Sequence, residues 1–262
     1  MTKTILITGS TDGIGLLTAK KLAADGHKVL LHGRSTSKLD SAASEVGGDV
    51  ETYSADLSDL SAVRELAESV KAKHDKLDVL INNAGVLKAP QTVLANGQDI
   101  RFVVNTLAPY LLTELLMPII PAAGRVVNLS SAAQAPVNIN ALEGSVPLAD
   151  MEAYAQSKLA ITIWTREWAK SLSDAPVMVA VNPGSLLASK MVKEGFGLAG
   201  NDMNIGADIL IDAALGDRFA DASGAYFDND SGAFANPHAA ALDKAHVADV
   251  MNSIRGLINQ TN

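Results

Sequence analysis

The chain of 262 residues contains no cysteine. That absence excludes disulfides, cysteine-ligated zinc, iron–sulfur clusters and a thiol nucleophile, and it fits a reducing compartment. Aromatic residues are scarce, 2 Trp, 4 Tyr and 5 Phe. Base-stacking platforms and an aromatic sugar-binding lining are therefore not expected. Positive charge is in deficit, with 21 Lys+Arg against 29 Asp+Glu and a net charge of −8. Bulk binding of nucleic acid or an anionic membrane needs the opposite balance. No metal is expected: the five histidines, His27, His32, His74, His238 and His246, lack ligand spacing, and the pairs Asp228/Asp230 and Asp56/Asp59 read as solvated turn residues. Long apolar runs are missing too. The most apolar stretch, 102–120, is interrupted by Asn105, Thr106, Pro109, Thr113 and Glu114, so no membrane span is expected. The start runs from Met1 through Thr4 straight into Ile5, Leu6 and Ile7, too short for a signal segment. These absences predict a soluble cytoplasmic protein.

What is present is enough apolar residue, 48%, to build a sizeable core. Apolar runs at 4–7, 28–31, 50–54, 77–81, 125–129 and 177–181 read as strands. Helical patterns separate them at 15–24, 36–46, 60–74, 98–117 and 152–172. Strands apolar on both faces and alternating with helices imply a parallel sheet covered on both sides. The fold expected is α/β: a doubly wound parallel sheet (Rossmann fold) with helices on both faces, in one domain over 1–262. A glycine-rich, mobile loop with short helical pieces is expected over 191–208, an edge strand at 224–227 and a C-terminal helix at 244–258.

The first strand ends in Thr8-Gly9-Ser10-Thr11-Asp12-Gly13-Ile14-Gly15, and a helix follows. Glycines at such a turn let the backbone approach a pyrophosphate, and the helix N-terminus adds N–H donors and a positive dipole end. The second strand ends in His32-Gly33-Arg34-Ser35, with no carboxylate to receive a free ribose 2′-hydroxyl. A guanidinium and a hydroxyl at Arg34 and Ser35 suit a 2′-phosphate. NADP(H) is therefore expected, with NAD(H) as the alternative.

Four further elements follow in order: Asn82-Asn83-Ala84-Gly85, then Asn105, then Asn128-Leu129-Ser130-Ser131, then Tyr154-Ala155-Gln156-Ser157-Lys158. With the glycine turn, this set resembles the short-chain dehydrogenase/reductase family over nearly the whole chain. The 22 residues from 132 to 153 between Ser131 and Tyr154, followed by Gln156 to Ala160 and later Gly224-Ala225-Tyr226-Phe227, are similar to the branch of retinol dehydrogenases and protochlorophyllide reductases.

Tyr154 and Lys158 are four apart and share a helix face. A phenol's ordinary pKa near 10 is too high for acid–base work at neutral pH. A neighbouring ammonium would lower it, and Tyr154 could then give a proton to a carbonyl oxygen as hydride arrives. Ser131, at the end of a strand, can hold the substrate oxygen. The resemblance favours it over Ser130, whose other reading is a turn-capping strand residue. Asn105 lies four residues before Pro109, which frees the Asn105 backbone carbonyl. The resemblance gives that carbonyl a water in a proton relay to Lys158. It further implies that Asp56 and Leu57 contact adenine, that Asn83, Ala84 and Gly85 back the ribose, and that Pro183 and Gly184 pass over the nicotinamide. The family often has Thr five residues after that proline. This chain has Ala188, with Ser189 beside it.

The expectation is thus an oxidoreductase moving hydride between NADP(H) and a carbonyl or alcohol carbon of a small, neutral, fairly apolar substrate. The insert, through 137–147, is expected to line the substrate entrance, and 188–208 to form a lid. A homodimer or homotetramer is implied by resemblance, through the apolar faces of 98–117 and 152–172. The rival readings are a non-catalytic NADP(H) sensor or scaffold, and a C=C reductase, dehydratase or epimerase on the same fold.

Overall fold

The computed structural model describes residues 1–188, 193, 195, 197 and 199–260. Eight strands form one sheet in the order β3-β2-β1-β4-β5-β6-β7-β8. They are β1 (Thr4–Ile7), β2 (Lys28–Gly33), β3 (Val50–Ser54), β4 (Val79–Asn82), β5 (Arg125–Leu129), β6 (Val177–Asn182), β7 (Tyr226–Asp228) and β8 (Ala233–Ala235). The first seven run parallel and β8 closes the edge antiparallel. From β1 the chain winds outward to β3, then returns to β4 on the other side. That reversal leaves a crevice beyond the C-terminal ends of β1 and β4, where open α/β sheets bind ligands.

The helices are α1 (Gly13–Ala24), α2 (Thr36–Val46), α3 (Leu60–Lys71), α4 (Ile100–Phe102), α5 (Ala108–Leu116), α6 (Ile139–Leu142), α7 (Asp150–Ser171), α8 (Met203–Leu215) and α9 (Lys244–Asn259). The first three start on side-chain caps: Asp12 accepts from Gly13 N–H, Ser35 from Lys38 N–H and Asp59 from Ser61 N–H. Each cap satisfies a backbone donor that the helix leaves free. Two apolar layers sandwich the sheet. On one side Leu6, Leu30, Leu80 and Val126 pack with Phe102, Leu111 and Trp164, and on the other Ile5, Ile7, Val127 and Val179 pack with Leu22, Leu210 and Phe219. Most of the aromatics serve packing: Tyr110 stands 5.7 Å from Trp164 and 4.5 Å from Trp168, and Phe219, Phe227 and Phe234 form a second group.

Several expectations change. The long helix at 98–117 is composite: between α4 and α5 lies a π-helical turn, Val103–Leu107. Pro109 has no N–H to offer Asn105 and its ring crowds the carbonyl four residues back. The backbone widens instead, and Ala108 N–H donates to the Val103 carbonyl. The run Ile100–Ile119 is, by length and composition, long and apolar enough to cross a membrane, despite its polar interruptions. It is 72% buried inside the fold, as a core helix is. The stretch expected as loop up to 208 includes the start of α8, where Asp202 caps Asn204 N–H and Gly206, Ala207, Ile209 and Leu210 are buried. The edge strand is displaced to Tyr226–Asp228 and gains β8 as a hairpin partner.

The insert does not line the substrate entrance along 137–147. Val137, Ala141 and Leu142 are buried in the core layer with Val247, Val250, Met251 and Ile254 of α9. Asn138 N–H donates to Gln156 Oε1 at 2.8 Å and Val137 N–H to His246 Nε2 at 3.2 Å. The insert and α9 thus pack over part of α7.

Candidate active site

A cleft of about 650 Å³ runs along the C-terminal ends of the strands, from Arg34 and Lys38 at one end to Ser131, Tyr154 and Lys158 at the other. Its floor is the glycine turn. Gly9 has φ +65° and Gly13 φ +58°, the left-handed region that glycine occupies without strain. A Cβ on Gly9 would stand 2.9 Å from Ala84 Cα, and one on Gly15 would stand 2.5 Å from both Asn83 Nδ2 and the Gly9 carbonyl. Thr8 and Asn83 stitch the turn to the end of β4. Thr8 Oγ accepts from Asn83 N–H and Ala84 N–H at 3.0 Å each, and Asn83 Nδ2 donates to the Thr8 and Gly9 carbonyls. A side chain at Gly9 or Gly15 would force the turn away from Ala84 and Asn83, so glycine keeps bare backbone here, against which an extended anionic group can lie.

Gly9, Thr11, Asp12, Gly13, Ile14, Gly15, Arg34, Asp56, Leu57, Asn83, Ala84, Gly85, Pro183 and Gly184 line this cleft, as expected from the sequence. Two expected residues do not. Ser10 is fully buried, with its hydroxyl accepting from His32 N–H at 2.9 Å, and Ser35 caps α2. Their contribution is to hold the backbone that does line the cleft. Two titratable cleft residues were missed. Lys38 lies one helical turn beyond Arg34, and neither cation forms an ion pair among the described residues, so both charges face the cleft unneutralised. The spacing Arg34 to Lys38 across a helix start was the signal. His32 was weighed only as a metal ligand, yet its ring lines the cleft.

At the other end, the reactive groups come from two elements. Ser131 follows β5, and Tyr154 and Lys158 lie on α7. Tyr154 is half-buried beside Ser131. Burial pushes its phenol above the ordinary value, and the neighbouring Ser131 hydroxyl opposes that rise. Lys158 is buried, with Nζ donating to the Leu129 carbonyl at 2.7 Å and standing 5.6 Å from the Tyr154 ring centre. Burial pulls its ammonium down to about 8. Ser130 also lines the cleft, but its Oγ is engaged on α7, with Thr162 Oγ at 2.6 Å and the Lys158 carbonyl at 3.2 Å.

Asn105 sits behind the reacting groups, outside the cleft lining. Its Oδ1 accepts from Val86 N–H at 2.8 Å, and its Nδ2 donates to the Val86 carbonyl and to Ser157 Oγ. Ser157 Oγ in turn donates to the Tyr154 carbonyl at 2.7 Å. The side chain therefore clamps the loop after Gly85 to the helix carrying Tyr154. The loop Pro183 to Leu187 is held by Asp230, which accepts from Ser185 N–H at 2.7 Å and from Asn182 Nδ2 at 2.9 Å. Burial alone would raise the Asp230 carboxyl, but these bonds outweigh it and hold the group below its ordinary value. Asp230 is thus a structural acceptor, and it was read only as a solvated turn residue. Among the described residues no cluster of His, Asp or Glu suited to a metal ion occurs.

Of the expected lid, Leu187 pairs with Asn201 and α8 begins at Met203. Ser189, the candidate replacement for threonine, lies outside the described residues, and Ala188 N–H is taken by the Asn201 carbonyl at 2.8 Å.

A family model described as short chain dehydrogenase matches residues 3–196. The chain belongs to the short-chain dehydrogenase family. It is accordingly an NAD(P)-dependent oxidoreductase with the Rossmann-type fold. Human retinol dehydrogenase 13 is 32% identical over 258 residues, which span 86% of this chain and 76% of that protein. Among solved structures, an uncharacterized protein from Mycobacterium Paratuberculosis aligns with a TM-score of 0.83 at 30% identity, over 98% of this chain and 93% of that one. A short chain dehydrogenase from Burkholderia cenocepacia J2315, solved in complex with NADP, aligns with a TM-score of 0.70 at 26% identity, over 88% of this chain and 97% of that one.

Proposed function

We propose that this dehydrogenase transfers hydride between NADP(H) and a carbonyl or alcohol carbon of a small, neutral, fairly apolar substrate, with Tyr154 as general acid and base. The observation that carries the proposal is the convergence of Tyr154, Ser131 and Lys158 at the end of the cleft opposite Arg34 and Lys38. The distal cations suit the phosphate-bearing end of NADP(H), as does the NADP complex of the Burkholderia relative. When bound, the reduced dinucleotide supplies the hydride.

The chain's own residues supply the proton and the orientation. Ser131 holds the substrate oxygen beside the Tyr154 hydroxyl, and the raised phenol stays protonated until that oxygen gains charge. Lys158 then stabilises the phenolate that remains. The walls at this end are Val86, Leu87, Val104, Met151, Leu186 and Leu187, and Lys158 is the sole charged side chain lining that end among the described residues. Apart from Lys158, no charged side chain among the described residues lines that end, which supports a neutral, apolar substrate. The retinol dehydrogenase relatives are in keeping with this.

The test is NADPH consumption on a panel of aldehydes, ketones and enones. Turnover of carbonyls, with kcat falling about 10²–10⁴-fold in Tyr154→Phe, is expected. Turnover of enones alone would favour a C=C reductase. Binding of NADPH without turnover of any panel member would favour a sensor or scaffold.

A further inference from the structure

The penultimate residue of β2 is His32, whose buried imidazole sits between the glycine turn and the loop after β3. Nδ1 lies 3.2 Å from the Gly9 nitrogen, and Nε2 lies 3.2 Å from the Ala55 oxygen. The partners fix the tautomer. An amide N–H can only donate, so Nδ1 is bare; a carbonyl can only accept, so Nε2 carries the hydrogen. The backbone is locked as well: His32 N–H donates to Ser10 Oγ at 2.9 Å, and Ser10 N–H donates to the His32 carbonyl at 3.0 Å. Asp56 and Leu57 follow Ala55 directly, and Gly33 and Arg34 follow His32; all four line the cleft. One ring therefore connects three backbone segments that surround the same part of the cleft.

We infer that His32 is a positioning residue for the dinucleotide, its imidazole fixing the distance between the glycine turn and the loop bearing Asp56 and Leu57 so that both engage one adenosine diphosphate unit. The inference rests on reading the cleft as a dinucleotide site. No other side chain contacts both segments among the described hydrogen bonds. The role also explains why a polar ring is buried at a strand end that packing alone would fill with an aliphatic residue. Without it, the Gly9 donor and the Ala55 acceptor would each lose a partner in a place where water is largely excluded. Burial pulls the imidazole down to about 4, so it stays in the neutral form this geometry requires at neutral pH.

The test uses the full chain and its variants His32→Leu, which removes both bonds, and His32→Asn, which retains an acceptor toward Gly9. NADPH affinity is read from nicotinamide fluorescence. Affinity for adenosine 2′,5′-bisphosphate, which lacks the nicotinamide, is read from the shift in melting temperature. His32→Leu is expected to weaken both ligands by about tenfold or more, in KM for NADPH rather than in kcat, and His32→Asn to recover part of the loss. A purely structural role would lower the ligand-free melting temperature and leave both affinities of the folded protein unchanged; that result would overturn the inference. If His32→Leu does not fold, unaltered affinities in His32→Asn would overturn it equally. Failure of the wild-type chain to bind NADPH would instead remove the dinucleotide reading, and this inference with it.

Discussion

The guanidinium of Arg101 on α4 reaches the carboxylate of Asp150, the first residue of α7 and one turn before Tyr154. Arg101 also grips Asp99 with a second pair of donors, one at 2.7 Å. The arginine is wholly buried, with 2% of its side chain exposed, whereas 11% of Asp99 and 45% of Asp150 are exposed. The catalytic helix is thereby tied at its start to the helix that leads into Asn105.

Exposure decides what each member of this triad contributes. Arg101→Met leaves the Asp99 carboxylate buried without its cation, which costs about 3–5 kcal/mol. Asp150→Asn removes a half-solvated partner and costs about 1 kcal/mol or less. Urea denaturation of both variants measures this directly. Equal losses would show that burial of Asp99 is not what makes the arginine matter.

Lys158 carries the opposite balance, function held at the expense of stability. Its ammonium is buried, and burial lowers it to about 8 from the ordinary 10.5. Between those values the unfolded chain binds a proton that the folded chain does not, so stability rises with pH across that window. Below pH 8 the full cost of burying the charge is present. Lys158→Met, apolar and similar in length, is expected to be the more stable protein at pH 7 by roughly 2–3 kcal/mol. That advantage should shrink from pH 8 to 10.5, while turnover is lost throughout. Thermal melts of both proteins across the range check the sign. A Met variant less stable than wild type at pH 7 would mean that the bond to the Leu129 carbonyl outweighs the desolvation.

The glycine turn gives a prediction that separates backbone from side-chain effects. Gly9 combines φ +65° with a Cβ position 2.9 Å from Ala84 Cα, a backbone atom that has no flexible end to move. Gly26 has φ +82° but open space around its Cβ. Gly26→Ala is expected to cost about 1 kcal/mol, the penalty for the left-handed region alone. Gly9→Ala should cost more and should also weaken NADPH, because the turn and Ala84 must part. Calorimetry for stability and fluorescence titration for binding resolve the two. Identical behaviour of both variants would refute the close-packing argument.

How far the sequence carried these conclusions depends on whether a feature is local. The order of strands and helices was legible because apolar runs and 3–4 spacings are local patterns, and Tyr154 with Lys158 was legible because four residues on one helix share a face. The π-turn at Val103–Leu107 was partly legible: Pro109 announced the lost bond but not how the backbone would accommodate it. The insert was misplaced because its destination depends on α9, more than 100 residues later, which offers Val247, Val250 and Ile254 as a packing surface. Met203–Leu215 was hidden by the glycines around it, since burial of Gly206 beneath Ile14 and Leu187 is a tertiary fact. Ser10 and His32 show the same limit in the site. A motif marks which segment meets the ligand, and only packing decides which side chain turns toward the cleft and which braces it.

Cofactor preference gives the sharpest test of the distal end. Arg34 and Lys38 both line the cleft, and neither forms an ion pair among the described residues. A phosphate on the ribose would satisfy both cations, whereas a bare 2′-hydroxyl would leave them without a counter-charge. A charge-assisted bond to phosphate contributes about 1.5–3 kcal/mol. Arg34→Ala should therefore weaken NADPH by roughly 10–100-fold, and Lys38→Ala, a more solvated point charge, by less. NADH affinity should change little in either, since its ribose offers no anion there. The double variant should come close to equal affinity for the two dinucleotides. Raising salt should weaken NADPH binding in the wild type more than in the double variant, because the screened interaction is the one removed. Fluorescence titration of both dinucleotides against all four proteins measures each of these. An unchanged NADPH-to-NADH ratio in the double variant would mean that the 2′-phosphate lies elsewhere and that these cations face only solvent.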